Sequence, residues 1–313
     1  MRNTIKNIKR IEPIWLILVS CVILFSFLSR EFLSLRNIIN ILLQISVTGI
    51  IALGMTFLMI SGAFDLSVGS VMALSAVVTV ISVPSMGVGA AIVMGIFSGL
   101  AVGILNGFFV VKGEINAFIT TLGSMFGIRG IVYMLTREHP VICLNENFQI
   151  LGNEEFLYIP IPFLIFLGLA VVTDFVLRKT IHGRNSYAIG GNKEAARNVG
   201  IPINKHLMIN FIICSFTAAI GGVINASRMG SATPILGRDT AIKVISAVIL
   251  GGTRLKGGYG SALGTVGGVL VLGIIQNGLN QLNVQVYYQI LIDGLILIFV
   301  IYIDSKVDKF CKE

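Results

Sequence analysis

Charged residues are scarce in this 313-residue sequence: Asp, Glu, Lys and Arg make up 12% of it, whereas hydrophobic residues make up 55%. A typical soluble domain carries about twice that share of charge, so the composition excludes an ordinary water-soluble fold. Apolar runs of about 20 residues recur instead, which is the length that crosses a lipid bilayer as a helix. The sequence therefore predicts an all-α, polytopic membrane bundle surrounded by lipid.

Cysteine is also sparse, and the four residues are Cys21, Cys143, Cys214 and Cys311. They fall in or beside different apolar runs and include no CxxC pair. Neither a disulfide framework nor a metal site is predicted from this spacing.

The sequence lacks a phosphate-binding loop of the form GxxxxGK[ST]. Its glycine-rich stretch GGTRLKGGYGS, residues 251–261, has no lysine followed by serine or threonine, the pair that holds phosphates and magnesium. We therefore expect no cofactor in this chain, and any ATP and magnesium to be bound by a partner subunit. The net charge of +8 lies in short loops without interleaved aromatic residues, which argues against nucleic acid as a partner.

Windows of 19 residues predict about ten transmembrane helices in a single domain covering residues 1–313. The predicted spans are 14–28, 44–63, 68–83, 87–110, 115–135, 159–177, 206–227, 240–251, 261–279 and 288–303. Residues 37–44 are expected to form an interfacial turn. The eighth span is too short to cross alone, so it must be broken, begin earlier or be shielded by neighbours. The first run lacks a cleavage site and is interpreted as a retained helix.

Lysine and arginine predict that both termini are cytoplasmic, because cytoplasmic loops are enriched in these residues. The basic residues of the two tails are Arg2, Lys6, Lys9, Arg10, Lys306, Lys309 and Lys312. The loop at about residues 179–205 is basic as well. The loop after the fifth span is acidic, which suits the outside; its glutamates are Glu138, Glu146, Glu154 and Glu155. Residues 228–243 conflict with the rule, since they are basic but placed outside.

Small residues recur at every fourth position of the fourth span. They are Gly87, Ala91, Gly95, Gly99, Gly103 and Gly107. This spacing puts them on one helix face, where a neighbouring backbone can approach closely. Gly260, Gly264 and Gly268 form a similar series in the ninth span, and both series are predicted to serve packing.

An acidic residue, Asp65, lies in the break between the second and third spans, in the stretch SGAFDLSVGS. The favoured interpretation is a cap, in which the carboxylate accepts from amides near Ser67 or Val68. The alternative is an intramembrane ion or proton site. Other polar residues at membrane depth are mainly amides and hydroxyls, which favours a neutral polar cargo. They are Asn106, Thr120, Thr121, Arg129, Asn277 and Gln281.

A short charged helix is predicted in the cytoplasmic stretch YAIGGNKEAARNVGIPINK, residues 187–205. Asn192 is a good N-cap, Gly200 suits the left-handed position after a helix, and Pro202 prevents continuation. We interpret this helix as a surface for a soluble partner. The alternative is a solvated loop that only sets topology.

The faces of this helix are predicted from spacing. Glu194 and Arg197 are three residues apart and are expected to pair on the exposed face. Ala195 and Ala196 are expected to form a smooth patch.

At these residues the chain resembles the permease subunits of bacterial ABC importers of the ribose type, over about residues 38–304. The similar blocks include ALGMTFLMISGAFDLSVGS, GRNSYAIGGNKEAARNVGI and AVILGGTRLKGGYGSALGTVGGVLVLGIIQNGLN. Family members usually read GGIDLSVG where this chain has Ala63 and Phe64. This departure bears on cargo specificity rather than on membership.

The resemblance implies a permease of the bacterial plasma (inner) membrane that imports a simple sugar, with ribose expected. Autoinducer-2, another monosaccharide or a nucleoside are alternative cargoes. The implied partners are a second permease copy, a cytoplasmic ABC ATPase and an extracytoplasmic sugar-binding protein. The coupling helix of such importers maps onto Gly191, Asn192, Lys193, Glu194, Ala195, Ala196 and Arg197. A translocation path is predicted through Asp65, Ser67, Asn106, Phe118, Thr121 and Asn277.

Two rival functions remain open. An ion-coupled secondary transporter or channel would act without an ATPase and would use Asp65, Asp174 or Asp293 as ion sites. A receptor-like membrane protein would carry no flux.

Overall fold

The computed structural model describes the backbone of residues 2–310 and the side chains of residues 13–302. This part of the chain is almost entirely helical. Its helices are α1 (Arg2–Leu28), α2 (Leu35–Ile60), α3 (Val68–Met86), α4 (Val88–Val111), α5 (Ala117–Thr136), α6 (Glu146–Asn153), α7 (Ile161–Lys179), α8 (Ile181–Gly191), α9 (Lys193–Asn198), α10 (Ile203–Met229), α11 (Thr240–Leu250), α12 (Ala262–Gln281) and α13 (Val286–Phe310). Its strands are β1 (Val141–Ile142), β2 (Glu155–Phe156), β3 (Ile159–Pro160) and β4 (Ser231–Ala232). The predicted all-α class is confirmed.

Some features used for the sequence predictions lie outside the described residues. They are the side chains of Arg2, Lys6, Lys9, Arg10, Lys306, Lys309 and Lys312, and residue Cys311. Cys21, Cys143 and Cys214 are described, and all three are free thiols.

Each predicted span coincides with one helix of the structure. Seven of these helices, α2, α3, α4, α5, α7, α10 and α12, are long and apolar enough to cross a membrane. Three shorter apolar stretches, Pro13–Leu28, Thr240–Leu250 and Val286–Tyr302, match the first, eighth and tenth predicted spans. The multi-pass membrane architecture is therefore confirmed, while the count of ten crossings and the cytoplasmic termini stay predictions.

The predicted interfacial turn at residues 37–44 is wrong, because these residues belong to α2. The Ser34 hydroxyl caps this helix by accepting a hydrogen bond from the Asn37 amide at 3.3 Å. The Asn37 side chain in turn donates to Asn277 Oδ1 at 2.9 Å. A cap and a buried amide pair let the helix begin at Leu35, ahead of its apolar run.

The core is built around α10, which packs against α2, α3 and α4. The buried share of the most apolar stretch is 72% in α2, 72% in α3 and 67% in α10. It is only 17% in α5 and 22% in α7. In a membrane protein the peripheral helices meet lipid or another subunit. The apolar side chains that α5 and α7 present outward are therefore expected to contact lipid or another subunit rather than water.

The glycine series of α4 serves close packing, as predicted. A Cβ added at Gly99 would lie 2.5 Å from the Ala219 Cβ on α10, and one at Gly103 would lie 2.8 Å from the Ser215 Cβ. A Cβ added at Gly95 would lie 2.8 Å from the Ser75 carbonyl oxygen on α3. Gly87 is the exception, because an added Cβ there meets nothing within 4 Å.

The series in the ninth span is also closely packed, as predicted, but only two of its three members lie in a helix. Gly264 and Gly268 lie in α12 against the backbone of Gly251 and Ala247. Gly260 lies before α12 rather than inside it, with a φ of 157°, because Ser261 caps the helix. Close packing of this kind supports helix association where lipid supplies no hydrophobic drive.

Contacts between loops define two ends of the bundle. At one end, the last residues of α2 and α8 meet the loop 251–261, with a hydrogen bond from Gly258 N to Ile60 O of 2.8 Å. At the other end, β1 in the loop after α5 pairs with β4 after α10. We call these the coupling end and the β end. Positive charge predicts that the coupling end is cytoplasmic.

Two irregular segments enter the bundle from opposite ends and meet inside it. Residues 61–67 come from the coupling end and lead into α3, while residues 230–239 come from the β end and lead into α11. Their contact is backbone on backbone, since a Cβ added at Gly237 would lie 2.4 Å from the Gly69 carbonyl oxygen. Both α3 and the short α11 thus start inside the bundle. This explains why the eighth predicted span, α11, is short. Neighbouring helices shield both α11 and the irregular backbone of residues 230–239 before it.

Candidate coupling surface and translocation path

The short helix predicted after Asn192 is present as α9, and its coupling role stays a prediction. Asn192 Oδ1 accepts a hydrogen bond from the Ala195 amide at 2.9 Å, which confirms it as the N-cap. Gly200 has a φ of 80°, a left-handed conformation that an L side chain rarely adopts. Pro202 follows as the residue immediately before α10. The local chemistry of these three residues isolates a short helix between α8 and α10.

Two details predicted for the faces of α9 are wrong. Ala196 is 3% exposed and packs into the core, whereas Ala195 is exposed, so the two alanines share no patch. They are adjacent in sequence and so point about 100° apart on a helix. Among the described residues, Glu194 and Arg197 form no ion pair with each other. Lys193, Glu194 and Arg197 thus remain exposed.

The coupling unit, which we define as α8 and α9, touches the bundle through a glycine junction of Gly62, Gly190, Gly257 and Gly258. A Cβ added at Gly190 would lie 1.9 Å from the Ile60 carbonyl oxygen, and one at Gly257 would lie 2.7 Å from the Gly62 amide nitrogen. Backbones in such contact cannot slide without moving each other. The end of α2, the loop 251–261 and the coupling unit therefore move together.

A tyrosine reinforces this junction. The Tyr187 hydroxyl on α8 donates a hydrogen bond to the Gly260 carbonyl at 2.8 Å. Burial, which disfavours the phenolate, raises the pKa of Tyr187 to about 12. Tyr187 is therefore a neutral donor at physiological pH.

The coupling unit is also attached through two histidines that the sequence analysis missed. His182 Nε2 lies 2.8 Å from Asn210 Oδ1, and His182 Nδ1 lies 2.8 Å from His206 Nδ1. Asn185 Nδ2 lies 2.9 Å from His206 Nε2. The Asn210 amide group donates to the Ser61 hydroxyl, so its Oδ1 must accept from His182 Nε2–H. His206 Nδ1–H then donates to His182, and all contacts are satisfied with both rings neutral.

Burial lowers the pKa of His182, partly offset by the hydrogen bond to Asn210, which raises it. A proton on His182 Nδ1 would point at the Nδ1–H of His206. The neutral form is therefore the one that fits the contact between α8 and α10. No sequence pattern places two histidines 24 residues apart in contact.

Asp65 is fully buried and hydrogen-bonded. Its Oδ1 accepts from the Ser67 amide at 2.7 Å and the Ser67 hydroxyl at 2.6 Å. Its Oδ2 accepts from Asn106 Nδ2 at 3.3 Å, and Asn106 Oδ1 accepts from Ser124 at 2.6 Å. The carboxylate thus ties residues 61–67 to α4 and α5.

The predicted cap at Asp65 is confirmed in its acceptor role. The carboxylate accepts a hydrogen bond from the amide of Ser67, which is itself the N-cap residue of α3. Asp65 therefore shapes the segment before the helix, as an aspartate in a turn does.

The structure distributes the other predicted path residues over three places. Phe118 lies in the first turn of α5 and packs edge-to-face on Phe64, with ring centroids 6.2 Å apart. Thr121 is buried and donates to the Ala117 carbonyl at 2.8 Å within α5. Asn277 pairs with Asn37 and shares no hydrogen bond with the Asp65 group.

Two cavities lie on either side of residues 61–67. The inner cavity, about 600 Å³, faces the coupling unit and is lined by Ser61 to Phe64, Phe118, Lys193 and Arg197 among others. The outer cavity, about 310 Å³, is lined by Leu66, Gly69, Ser70, Met125, Phe126, Arg129, Tyr133, Ile235, Gly237 and Arg238. Residues 61–67 therefore form a partition between a cavity at the coupling end and one facing the β end.

The chain belongs to the family described as the permease component of branched-chain amino acid transport systems, whose model matches residues 37–301. The apolar spans and the broken helices at the bundle centre are consistent with a multi-pass transport permease.

Particular relatives are similar over nearly their whole length. The chain is 38% identical over 288 residues to the ribose import permease protein RbsC of Bacillus subtilis (strain 168), covering 91% of this chain and 89% of that protein. It is 37% identical over 282 residues to the L-arabinose transport system permease protein AraH of Escherichia coli (strain K12), covering 89% and 85%. It is 36% identical over 297 residues to the D-allose transport system permease protein AlsC of the same strain, covering 94% and 91%. No solved structure matches the chain.

Proposed function

We propose that this chain is the permease subunit of an ATP-binding-cassette importer that moves a simple sugar, with ribose as the cargo, across the plasma membrane. The similar relatives are named for import or transport of ribose, L-arabinose and D-allose, which are all monosaccharides. A neutral sugar also suits the interior, where most polar side chains are amides and hydroxyls.

The observation that carries this proposal is the exposed coupling unit joined to the glycine junction. Lys193, Glu194 and Arg197 are exposed on a capped helix that is held to the bundle by Ala196. A rigid, charged helix at the cytoplasmic end suits docking of a soluble ATPase, which would bind the ATP and magnesium. This chain itself would need no cofactor.

The same geometry supports alternating access. A shift of the coupling unit would be transmitted through Gly190 to Ile60 and Gly62, and from there to residues 61–67. These residues separate the inner and outer cavities. Movement of the partition would open one cavity as it closes the other. The hydrogen bond between Asp65 and Asn106 would hold the partition in one discrete conformation rather than leave it disordered.

The remaining partners follow from this role. An extracytoplasmic sugar-binding protein would deliver cargo at the β end, and a second permease copy would cover the weakly buried face of α4 and α5. Low-affinity contacts inside the permease are expected, because delivered sugar must also be released.

An ion-coupled transporter remains the alternative, and the acidic residues bear on it. Asp174 lies 2.8 Å from Arg178, and Asp293 lies 3.6 Å from Lys243. Asp65 accepts hydrogen bonds from Ser67 and Asn106. All three carboxylates have partners within the protein, whereas an ion site needs uncommitted oxygens. The geometry therefore favours structural roles for them.

The test is reconstitution in liposomes of the permease with its ATPase and binding protein. ATP-dependent uptake of D-ribose is expected, and none by the permease alone. Glu194→Lys with Arg197→Glu should abolish ATPase docking and uptake, whereas Glu138→Lys on the outer loop should preserve both. Flux through the isolated chain driven by an ion gradient would contradict the proposal, as would full uptake by the double variant.

A further inference from the structure

The outer cavity lies where the two irregular segments meet. Leu66 and Gly69 approach it from the coupling-end segment, and Ile235 and Gly237 from the β-end segment. A cavity of about 310 Å³ is at the small end of sites that hold organic ligands, which suits a single sugar ring rather than a larger molecule. Discontinuous helices meeting at the bundle centre are where transporters place cargo.

Arg129 fixes one wall of this cavity. Its Nη1 donates to the carbonyl oxygens of Pro234 and Leu236, each at 2.7 Å. The guanidinium therefore holds residues 230–239 against α5. Among the described residues, Nε and Nη2 of Arg129 have no hydrogen-bond partner, so these donors remain available to a ligand in the cavity.

Other polar groups in the lining are also available. The Tyr133 hydroxyl and the Arg238 guanidinium have no hydrogen-bond partner among the residues that the structure describes, and Arg238 is exposed. The Ser70 hydroxyl donates to the Met125 carbonyl at 2.8 Å and is fully buried, so it joins α3 to α5 rather than contacting a ligand. The cavity thus offers donors from α5 and from residues 230–239.

The rest of the lining is apolar. Leu66, Met125, Phe126 and Ile235 surround the polar groups. Directed donors combined with an apolar, partly aromatic wall match a sugar ring, which has hydroxyls on its rim and C–H groups on its face. The Arg129 charge is already directed at two carbonyl oxygens, so its remaining N–H groups act as directed donors to hydroxyl oxygens.

We propose that the outer cavity is a transit binding site for a neutral monosaccharide, in which Arg129, Tyr133 and Arg238 donate to sugar hydroxyls. This inference rests on the proposed import function and adds the place where the permease itself holds its cargo. Residues 61–67 form the floor of the site through Leu66. The site is lost when that partition moves, so bound sugar passes to the inner cavity.

The first test uses cysteine protection in the complete reconstituted importer. Ile235→Cys places a thiol in the cavity lining at a residue that is 59% exposed, and Ile142→Cys provides a control on β1 that is 67% exposed and outside the lining. The native Cys143 and Cys214 are buried. D-ribose at millimolar concentration is expected to slow labelling at position 235 by an impermeant maleimide several-fold and to leave position 142 unchanged.

The second test measures transport. Tyr133→Phe should lower the maximal rate of D-ribose uptake about fivefold, the effect of one hydrogen bond. The concentration for half-maximal uptake should stay unchanged, because the binding protein sets it. Tyr158→Phe, which is 74% exposed on the outer hairpin, is the matched control. Tyr133→Phe removes the hydrogen bond to one sugar hydroxyl. The variant should therefore prefer D-ribose less strongly over the deoxyribose that lacks this hydroxyl.

The outcomes separate this inference from the proposed function. If the wild-type importer takes up no monosaccharide with ATP, the proposed function fails first. If it transports D-ribose but D-ribose protects neither cysteine, or both equally, the transit site is refuted. Protection by ribose 5-phosphate without protection by D-ribose would show an anion site and overturn the neutral-sugar assignment.

Discussion

Gly190→Ala is the perturbation that tests the mechanical link most directly. The added Cβ would lie 1.9 Å from the Ile60 carbonyl oxygen and 2.5 Å from the Gly258 amide nitrogen. Real Cβ atoms do not approach backbone atoms this closely, so α8 must move away from α2. The neighbouring Gly191 provides a matched control, because a Cβ there meets nothing within 4 Å.

The magnitude follows from three contributions. Forcing a methyl group into a packed contact costs about 1–3 kcal/mol. Weakening the hydrogen bond from Gly258 N to Ile60 O, 2.8 Å long, costs about 1 kcal/mol more. Alanine in place of glycine in a helix returns about 1 kcal/mol. The net loss of about 1–3 kcal/mol changes the equilibrium between attached and detached coupling units about 5- to 150-fold.

The assay is the number of sugar molecules imported per ATP hydrolysed by the reconstituted importer. Gly190→Ala should lower this ratio severalfold while the ATPase still binds, because α9 and its charged face are unchanged. Gly191→Ala should keep the wild-type ratio. Thermal unfolding in detergent shows whether each variant folds. A well-folded Gly190→Ala protein with wild-type coupling would refute the mechanical role of the glycine junction.

Three further predictions concern the interior. Asp65→Asn replaces the Oδ2 acceptor by a donor that faces the Asn106 Nδ2 donor. The change should weaken the partition by about 1.5–3 kcal/mol and lower the uptake rate at least tenfold. In the wild type, uptake should be insensitive to a protonophore, and a collapse there would instead mark Asp65 as a proton site. Burial lowers the pKa of His182, so the neutral ring contributes to stability above its ordinary pKa of about 6.5, and this contribution is lost as the pH falls below that value. The sugar-to-ATP ratio of the wild type should therefore decline on acidification. His182→Gln should flatten this pH profile. Gly103→Ala brings a Cβ to 2.8 Å from Ser215 and should lower stability in detergent by about 1–3 kcal/mol, whereas Gly89→Ala, in open space, should not; equal melting temperatures would show that the α4 contact can relax.

Sequence reasoning succeeds where the determinants are local. Apolar run length predicted a helix at each of ten positions where the structure has one, and seven of these helices are long and apolar enough to cross a bilayer. Asn192, Gly200 and Pro202 predicted the limits of α9, because a cap and a left-handed glycine act on backbone groups a few residues away. The same local logic misplaced the start of α2, since its cap lies ahead of the apolar run.

Contacts between distant parts of the chain were beyond such reasoning. Asn277 pairs with Asn37, 240 residues away in sequence, and the sequence pattern of neither helix predicts that pair. A helical periodicity alone does not say which neighbour a polar residue faces. Arg129 shows the converse, because its importance depends on carbonyl groups in residues 230–239 that only the fold brings to it.

The sequence by itself determined that this protein is a helical membrane bundle with a capped helix outside it, because hydropathy and capping act within a single segment. Only the tertiary structure decided that Gly190 touches Ile60, that His182 meets His206, and that residues 61–67 divide two cavities. Those relations depend on how separate helices pack, and close backbone contact between them leaves no periodic mark in either segment.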